Sequence, residues 1–172
     1  MKAHLTVRDI AVLGMMTAML EVVKFALQAI PNVEMVTFLF IIFTLLYGWK
    51  VLLCAFAFTA LETVWWGPQA WVIMYLYVWP ALILITYAVR RHAGVLFYSF
   101  LSGFFGLSFG ALCSIVYLFI GGPYLMFTWW VSGIPYDIAH GISNFFICLL
   151  LYRPFMYAGM KIKASFFHPY SE

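Results

Sequence analysis

Residues 129–145 read Trp-Trp-Val-Ser-Gly-Ile-Pro-Tyr-Asp-Ile-Ala-His-Gly-Ile-Ser-Asn-Phe and open an apolar run that continues to Tyr152. A helix turns by about 100° per residue, so a carboxylate, an imidazole and an amide of this run fall on one face. Unpaired polar groups are costly in hydrocarbon, and we therefore expect this face to look into protein or water. The face contains Trp130, Gly133, Asp137, His140 and Asn144.

Composition places the chain among integral membrane proteins. Of its 172 residues, 66% are hydrophobic and only 9% are charged, whereas a soluble domain has about 25% charged residues. We expect one all-α transmembrane domain over residues 1–172, without a cleavable signal peptide, because the first helix is long and lacks a small-residue cleavage site. The net charge of +3 lies in the loops, which indicates topology rather than a nucleic-acid partner.

Six apolar segments can be compared with the roughly 20 residues that a membrane-spanning helix needs. Glycine and proline mark the breaks between them, for example Gly121-Gly122-Pro123 between the fifth and the sixth. The second and third segments are short, so they are either tilted or begin inside the assigned loops. The segments cover residues 6–30, 35–47, 51–66, 71–89, 95–120 and 127–152.

The basic residues predict an orientation. They lie at or near the two termini and in the even-numbered loops, and the odd-numbered loops contain no Lys or Arg; the exception is Lys24, which lies well inside the first segment. By the positive-inside rule we expect both termini in the cytoplasm. Tryptophan pairs such as Trp65-Trp66 then lie at the outer interface, as part of an aromatic belt or as the rim of a cavity. The basic residues at or near the termini and in the even-numbered loops are Lys2, Arg8, Lys50, Arg90, Arg91, Arg153, Lys161 and Lys163.

Polar side chains on two other segments are expected at the same depth as the polar face of the sixth. Glu21 and Lys24 share a face of the first segment, and Glu62 lies in the third. One alternative is that Glu21 and Lys24 form an ion pair within the first helix. The alternative for Glu62 is that its side chain only extends to the membrane interface. Convergence on three segments instead favours a ligand cavity in the outer half. Its rim and lining would come from Trp66, Trp71, Tyr75, Tyr77 and Trp79, unless these rings only pack between helices.

The polar face of the sixth segment has a structural alternative. Asp137 and Asn144 are separated by about 10 Å along a helix axis at 1.5 Å per residue, and both could belong to a hydrogen-bond network between helices. His140 could then be a structural partner of Asp137 rather than a ligand contact.

Small residues in the inner half of the first segment indicate a contact surface. Ala11, Gly14 and Ala18 form a stripe, in which Gly14 and Ala18 have small-xxx-small spacing. Such residues let another helix approach closely in lipid. The stripe serves either a partner subunit or packing within the chain.

One motif suggests a different function. Residues 106–110 match G-x-S-x-G, and Ser108 with His140 is the residue pair of an intramembrane serine protease. The motif is weak in a helix rich in Gly and Ser, and the expected topology puts the two residues at different depths. We expect no metal or other cofactor, since Cys54, Cys113 and Cys148 are far apart and typical of packing positions. The chain has no Walker A sequence.

Four strings resemble the substrate-capture (S) component of energy-coupling factor (ECF) transporters, and the resemblance covers nearly the whole chain. They are residues 14–18 (Gly-Met-Met-Thr-Ala), 71–80 (Trp-Val-Ile-Met-Tyr-Leu-Tyr-Val-Trp-Pro), 109–113 (Phe-Gly-Ala-Leu-Cys) with Gly121-Gly122, and 130–140 with Asn144-Phe145. The second and fourth strings look most like the cobalamin or corrinoid branch. Another ring-bearing vitamin or precursor is the alternative substrate.

The resemblance implies an S-component-like bundle in the cytoplasmic membrane of a prokaryote. Such a protein captures a vitamin from outside and is not itself an enzyme. It docks through its first helix on a transmembrane coupling subunit that carries two cytoplasmic ATPases, and their ATP hydrolysis releases the vitamin inside. Family members usually show Ala-x-x-x-Ala for docking; here Gly14 replaces the first Ala, which leaves the contact face open.

Overall fold

The computed structural model describes residues 5–91 and 94–167. Throughout these ranges the regular structure is helical, with no strand. The elements are α1 (Val7–Leu27), α2 (Val36–Tyr47), a 3₁₀ turn (Gly48–Val51), α3 (Leu52–Trp66), α4 (Ala70–Ala88) and α5 (Val95–Phe167).

The described part of the chain contains four helical stretches that are long and apolar enough to cross a membrane, where the sequence predicts six segments. The difference has two causes. Helices α2 and α3 have 12 and 15 residues, each shorter than a span of about 20, and they count as one stretch because the 3₁₀ turn joins them. The predicted fifth and sixth segments likewise count as one stretch, α5, although a kink at Gly121-Gly122 separates them.

Helix α5 is interrupted where the sequence predicts a break. Gly121 and Gly122 leave the helical region of backbone space, and Gly122 has φ +82°, a conformation that glycine adopts without steric penalty. Pro123 follows and has no amide N–H to continue the hydrogen-bond ladder. We refer to residues 95–120 as the first arm of α5 and to residues 123–167 as the second arm.

Glycines let the two arms pack closely. A Cβ atom added to Gly106 would lie 2.9 Å from the Cα atom of Gly141, and one added to Gly103 would lie 3.0 Å from the Cβ atom of Phe145. A Cβ atom at Gly110 would overlap the carboxylate of Asp137. The glycines of the G-x-S-x-G motif are therefore packing positions that bring the polar face of the second arm against the first.

Helix α2 forms the centre of the bundle. All its residues except Leu45 and Tyr47 are buried, and it packs against α4 and α5. A helix that is apolar on every side is expected inside a bundle. Aromatic rings surround it: Trp79 lies 5.3 Å from Phe40 between ring centroids. This apolar core separates the two ends of the bundle, where the polar side chains collect.

Candidate functional site

A cavity of about 550 Å³ opens at one end of the bundle, within the range of about 300–1,000 Å³ typical of small-molecule sites. Its walls come from the end of α1, the α1–α2 loop (residues 28–35), α4 and both arms of α5. The lining residues are Lys24, Leu27, Gln28, Ile30, Pro31, Asn32, Val33, Glu34, Val36, Tyr75, Trp79, Phe109, Gly110, Trp129, Ser132, Gly133, Tyr136, Asp137 and His140.

Four of the ten residues predicted to bind ligand line this cavity, and six do not. The four are Lys24, Tyr75, Asp137 and His140. The six outside the lining are Glu21, Glu62, Trp66, Trp71, Trp130 and Asn144.

Lys24 is held in place by two of the residues behind the wall. Its ammonium group pairs with Oε2 of Glu62 and lies 4.5 Å from the ring centroid of Trp71 and 5.3 Å from that of Tyr75. Glu62 is fully buried, so it does not reach the interface. Glu62, which is buried behind the wall, and Trp71, which is half-buried, both contact the lysine, and neither lines the cavity.

Local packing places two further predicted residues, Trp66 and Trp130, outside the cavity lining. Trp66 stacks on Phe25 with ring centroids 6.4 Å apart, and 45% of its surface is exposed. Trp130 packs against Phe127, whereas its neighbour Trp129 lines the cavity and stacks on Tyr117 at 4.8 Å. At the outer end of the second arm, the face that lines the cavity therefore begins with Trp129 instead of the predicted Trp130.

Glu21 is half-buried and does not line the cavity. Its two carboxylate oxygens are buried, and neither has a hydrogen-bond partner among the residues that the structure describes. The ion pair of the first segment is thus formed between Lys24 and Glu62, on another helix, and not between Lys24 and Glu21.

Asp137 contacts the backbone of the first arm. Its Oδ1 atom accepts a hydrogen bond of 2.9 Å from the amide of Gly110, and the space that this bond occupies would be filled by any side chain at position 110. The second carboxylate oxygen, Oδ2, is buried and has no partner within the described chain. Asp137 therefore brings one unused acceptor to the cavity wall.

Asn144 lies below the cavity, at the contact between the arms. It is fully buried, and a Cβ atom on Gly106 would lie 3.0 Å from its Nδ2 atom. The close approach at Gly106 and Gly141 shuts Asn144 off from the cavity. Asn144 thus lies between the arms and Asp137 lines the cavity, but Oδ1 and Nδ2 of Asn144 have no hydrogen-bond partner among the described residues, so they do not form the interhelical network that was the alternative.

His140 pairs with a residue that the sequence analysis did not select. Its Nε2 atom lies 3.0 Å from Oε1 of Glu34, and Oε2 of Glu34 accepts a bond of 2.9 Å from the amide of Thr37 in the first turn of α2. Burial raises the pKa of Glu34, but the hydrogen bond and charge of His140 and the Thr37 amide outweigh it, so the pKa lies below its ordinary value.

A second hydrogen bond fastens the same loop to the second arm. The hydroxyl of Ser143 donates to the backbone carbonyl of Asn32 at 2.8 Å. Asn32 itself has φ +59°, a left-handed conformation that asparagine tolerates better than most residues. The loop thus covers the cavity along one side. A signal for Glu34 existed in the sequence: an isolated acid beside Pro31-Asn32, just before a helix whose N-terminus favours negative charge.

The stripe on α1 faces away from the bundle. Ala11, Gly14 and Ala18 are exposed, and no atom lies within 4 Å of the position that a Gly14 Cβ atom would take. Within the described residues the stripe is therefore left open and is not used for internal packing.

The protease pair receives no geometric support. No hydrogen bond between Ser108 and His140 occurs among the described residues, and the cavity is lined by Phe109 and Gly110 but not by Ser108. His140 is instead bonded to Glu34.

The described ranges contain no group of three or more His, Cys, Asp or Glu side chains that could hold a metal ion. Cys54, Cys113 and Cys148 are unpaired and buried. Comparisons of the chain with protein-family models, with curated proteins and with solved structures gave no match.

Proposed function

We propose that this protein is a multi-pass membrane protein that captures a ring-bearing vitamin or vitamin precursor, as the S component of an ECF-type importer. The observation that carries the proposal is the cavity at one end of the bundle. Aromatic rings of α4 and α5 line it, together with the four charged or titratable residues Lys24, Glu34, Asp137 and His140, and a loop fastened by His140 and Ser143 covers one side.

Contacts at the two ends of the bundle support six crossings rather than four. Phe25 near the end of α1 stacks on Trp66 at the end of α3. Lys50, just before α3, pairs with Asp9 in the first turn of α1. Helices α1 and α3 are therefore parallel, which requires α2 to run back between them.

The same reasoning applies to α5. Tyr98, near the start of the first arm, donates to the carbonyl of Val89 at the end of α4, and Tyr117 of that arm stacks on Trp129 of the second. The second arm then returns to the end of α2, where Lys163 bonds the Leu46 carbonyl. We therefore propose six alternating segments with both termini on the side of the basic loops, the side that the positive-inside rule assigns to the cytoplasm.

The lining indicates the chemistry of the ligand. Trp79, Phe109 and Trp129 offer flat apolar surface for a ring system, and Oδ2 of Asp137, which has no partner among the described residues, is available to accept a hydrogen bond from a donor group of the ligand. The volume of about 550 Å³ favours the smaller ring-bearing vitamins or precursors, because a complete corrinoid would extend beyond the cavity.

The exposed stripe on α1 supports the docking half of the proposal. An open small-residue face in lipid allows another helix to approach closely. A transmembrane coupling subunit with two cytoplasmic ATPases is the partner that fits an S component, and the ATPases supply the energy for release of the vitamin inside.

The test is binding by the purified chain. Small molecules that co-purify in detergent are identified by mass spectrometry, and a panel with a corrinoid, riboflavin, thiamine and biotin is titrated by quenching of tryptophan fluorescence. We expect saturable binding of one ring-bearing compound. Asp137→Asn should weaken it about threefold to tenfold, the equivalent of one hydrogen bond of about 0.5–1.5 kcal/mol.

Glu21→Gln is the matched control, since this carboxylate is buried in the same end of the bundle but does not line the cavity. It should leave the affinity within about twofold. No saturable binding of any compound, or equal losses in the two variants, would refute the proposed site.

A further inference from the structure

A second cavity, of about 420 Å³, lies at the opposite end of the bundle from the first. It has no part in the proposed capture of a vitamin. Its lining comes from the start of α1, the end of α2 with the following turn, the end of α4 and the second arm of α5. The lining residues are Asp9, Thr44, Leu45, Leu46, Tyr47, Gly48, Lys50, Arg90 and Lys163.

Two glycines bring these separate elements together. A Cβ atom on Gly159 would overlap the side chain of Leu46, so the second arm passes directly over the end of α2. Lys163 lies one helical turn further on and donates to the backbone carbonyl of Leu46. Gly48 ends α2 with φ +68°, and a Cβ atom there would lie 3.3 Å from the ring of Tyr87, near the end of α4.

The described residues that line the cavity carry more positive than negative charge. Lys50 is paired with Asp9 at 2.7 Å, and Asp9 is the one carboxylate that the described residues contribute to the lining. The guanidinium group of Arg90 lies 3.7 Å from the ring centroid of Tyr87 and donates to its carbonyl. The contacts of Arg90 with Tyr87 and of Lys163 with the Leu46 carbonyl are to uncharged groups, so they do not neutralise the two positive charges.

We infer that this cavity binds the phosphate group of an anionic lipid. Arginine and lysine are the side chains that recognise phosphate, and the bond is strong because both partners are charged. Arg90 and Lys163 are exposed side chains on different elements, and both line the same cavity, so the proposed phosphate group would lie between them.

The position of the cavity favours a lipid over free phosphate as the source. It lies at the end of the bundle that carries the basic loops, which the positive-inside rule places at the cytoplasmic leaflet, where anionic lipids are concentrated. Leu45 and the rings of Tyr47 and Tyr87 border the charged groups, as expected at a membrane interface, where aromatic rings accompany polar headgroups. A bound headgroup would join α2, α4 and α5.

Native mass spectrometry of the intact protein tests this inference. Delipidated protein in a neutral detergent is titrated with short-chain phosphatidylglycerol, short-chain phosphatidylcholine or inorganic phosphate at about 0.15 M salt, where charges on the surface are largely screened. We expect one saturable site for phosphatidylglycerol. The double variant Arg90→Gln/Lys163→Gln should weaken it about tenfold or more, since two charge-assisted contacts are lost.

The matched control is Arg91→Gln/Lys161→Gln. It removes the same number of charges from neighbouring positions of the same elements, and neither residue lines the cavity. Its affinity should stay within about twofold of the parent. Equal losses in the two double variants would overturn the inference, because they would show nonspecific attraction.

Two further results would also decide against it. Inorganic phosphate that binds as tightly as phosphatidylglycerol would overturn the lipid source, and phosphatidylcholine that binds as tightly would overturn recognition of the anion. The single variant Arg90→Gln guards against misfolding, because it retains the bond between Lys163 and Leu46; we expect a loss of about fivefold from it.

Discussion

At the scale of single residues, the candidate site depends on positions where a side chain is missing. Gly110 is the clearest case, because its amide donates to Asp137 across a gap that any Cβ atom would fill. The polar face of the second arm can be seen in the sequence. Gly110, which contacts this face, cannot be identified from the sequence, because the sequence does not show which residues of the first arm pack against Asp137.

Gly110→Ala is expected to weaken both folding and ligand binding. The added methyl group would displace the carboxylate of Asp137, and overpacking of this kind costs about 1–3 kcal/mol. The control is Gly133→Ala, since Gly133 also lines the cavity but has no atom within 4 Å of its Cβ position. Chemical unfolding and ligand titration of both variants check this; similar effects of the two changes would contradict the proposed role of Gly110.

The contact between Glu34 and His140 should depend on pH. The pKa of Glu34 is lower in the folded protein than its ordinary value of 4.5. The stabilisation is therefore fully present above about pH 4.5 and is lost as the pH falls through the lower, folded pKa. We expect Glu34→Gln to lower the free energy of unfolding by about 1–3 kcal/mol at neutral pH, and the difference from the parent to shrink under acid conditions.

Thermal unfolding of both proteins from neutral pH to about pH 3 measures this difference. The charged groups that share the cavity with Glu34 are Lys24, Asp137 and His140, and they are the same in both proteins. A difference that grows as the pH falls would show that the carboxylate of Glu34 is not stabilised in its charged form.

At the scale of elements, the sequence predicts which stretches are helical but not how far each helix reaches. The apolar stretch of α2 and the glycine pair inside α5 are local features, and both appear where they are predicted. Partners are not local. Glu34 and His140 are 106 positions apart, and Lys163 and Leu46 are 117 apart, so hydrophobic periodicity gives no information about either pair.

The stripe on α1 is exposed, and in the proposed function its partner is a separate coupling subunit. Ala11→Leu/Gly14→Leu should abolish co-purification with the coupling subunit and vitamin uptake, because the added side chains would keep a neighbouring helix from approaching closely. Ligand affinity of the isolated protein should be unchanged, since the stripe is exposed and does not line the cavity.

Ala57→Leu/Ala60→Leu is the control for this experiment. Both alanines are exposed on α3, so the same bulk is added to a different face. Uptake lost equally in both double variants would count against a specific docking surface, and ligand binding lost in a folded stripe variant would count against separate docking and capture surfaces.

At the scale of the whole molecule, polar groups collect at two ends of a bundle whose middle is apolar. Lys24, Glu34, Asp137 and His140 line one cavity, and the charged residues of the other come from the start of α1 and the ends of α4 and α5. Buried α2 separates the ends. In a membrane this arrangement keeps charge near the interfaces, where it can be hydrated, and leaves the middle for hydrocarbon.

The number of crossings decides which side of the membrane each cavity faces. With six crossings and cytoplasmic termini, Gln69 and Tyr124 lie outside and Arg91 lies inside. With four crossings and the same N-terminus, in which α2 and α3 cross as one helix, Gln69 would lie inside and Arg91 outside. Single cysteines at these positions therefore distinguish the two arrangements.

We expect Gln69→Cys and Tyr124→Cys to react with a membrane-impermeant maleimide in intact cells, and Arg91→Cys only after permeabilisation. The three native cysteines are buried, so the parent protein is the control and should react little in either condition. Labelling of Arg91→Cys but not Gln69→Cys in intact cells would favour four crossings. Because the cavity lies at the end of the bundle that Gln69 shares with Trp71 and Lys24, that result would also place the cavity on the cytoplasmic side and remove the basis for capture from outside.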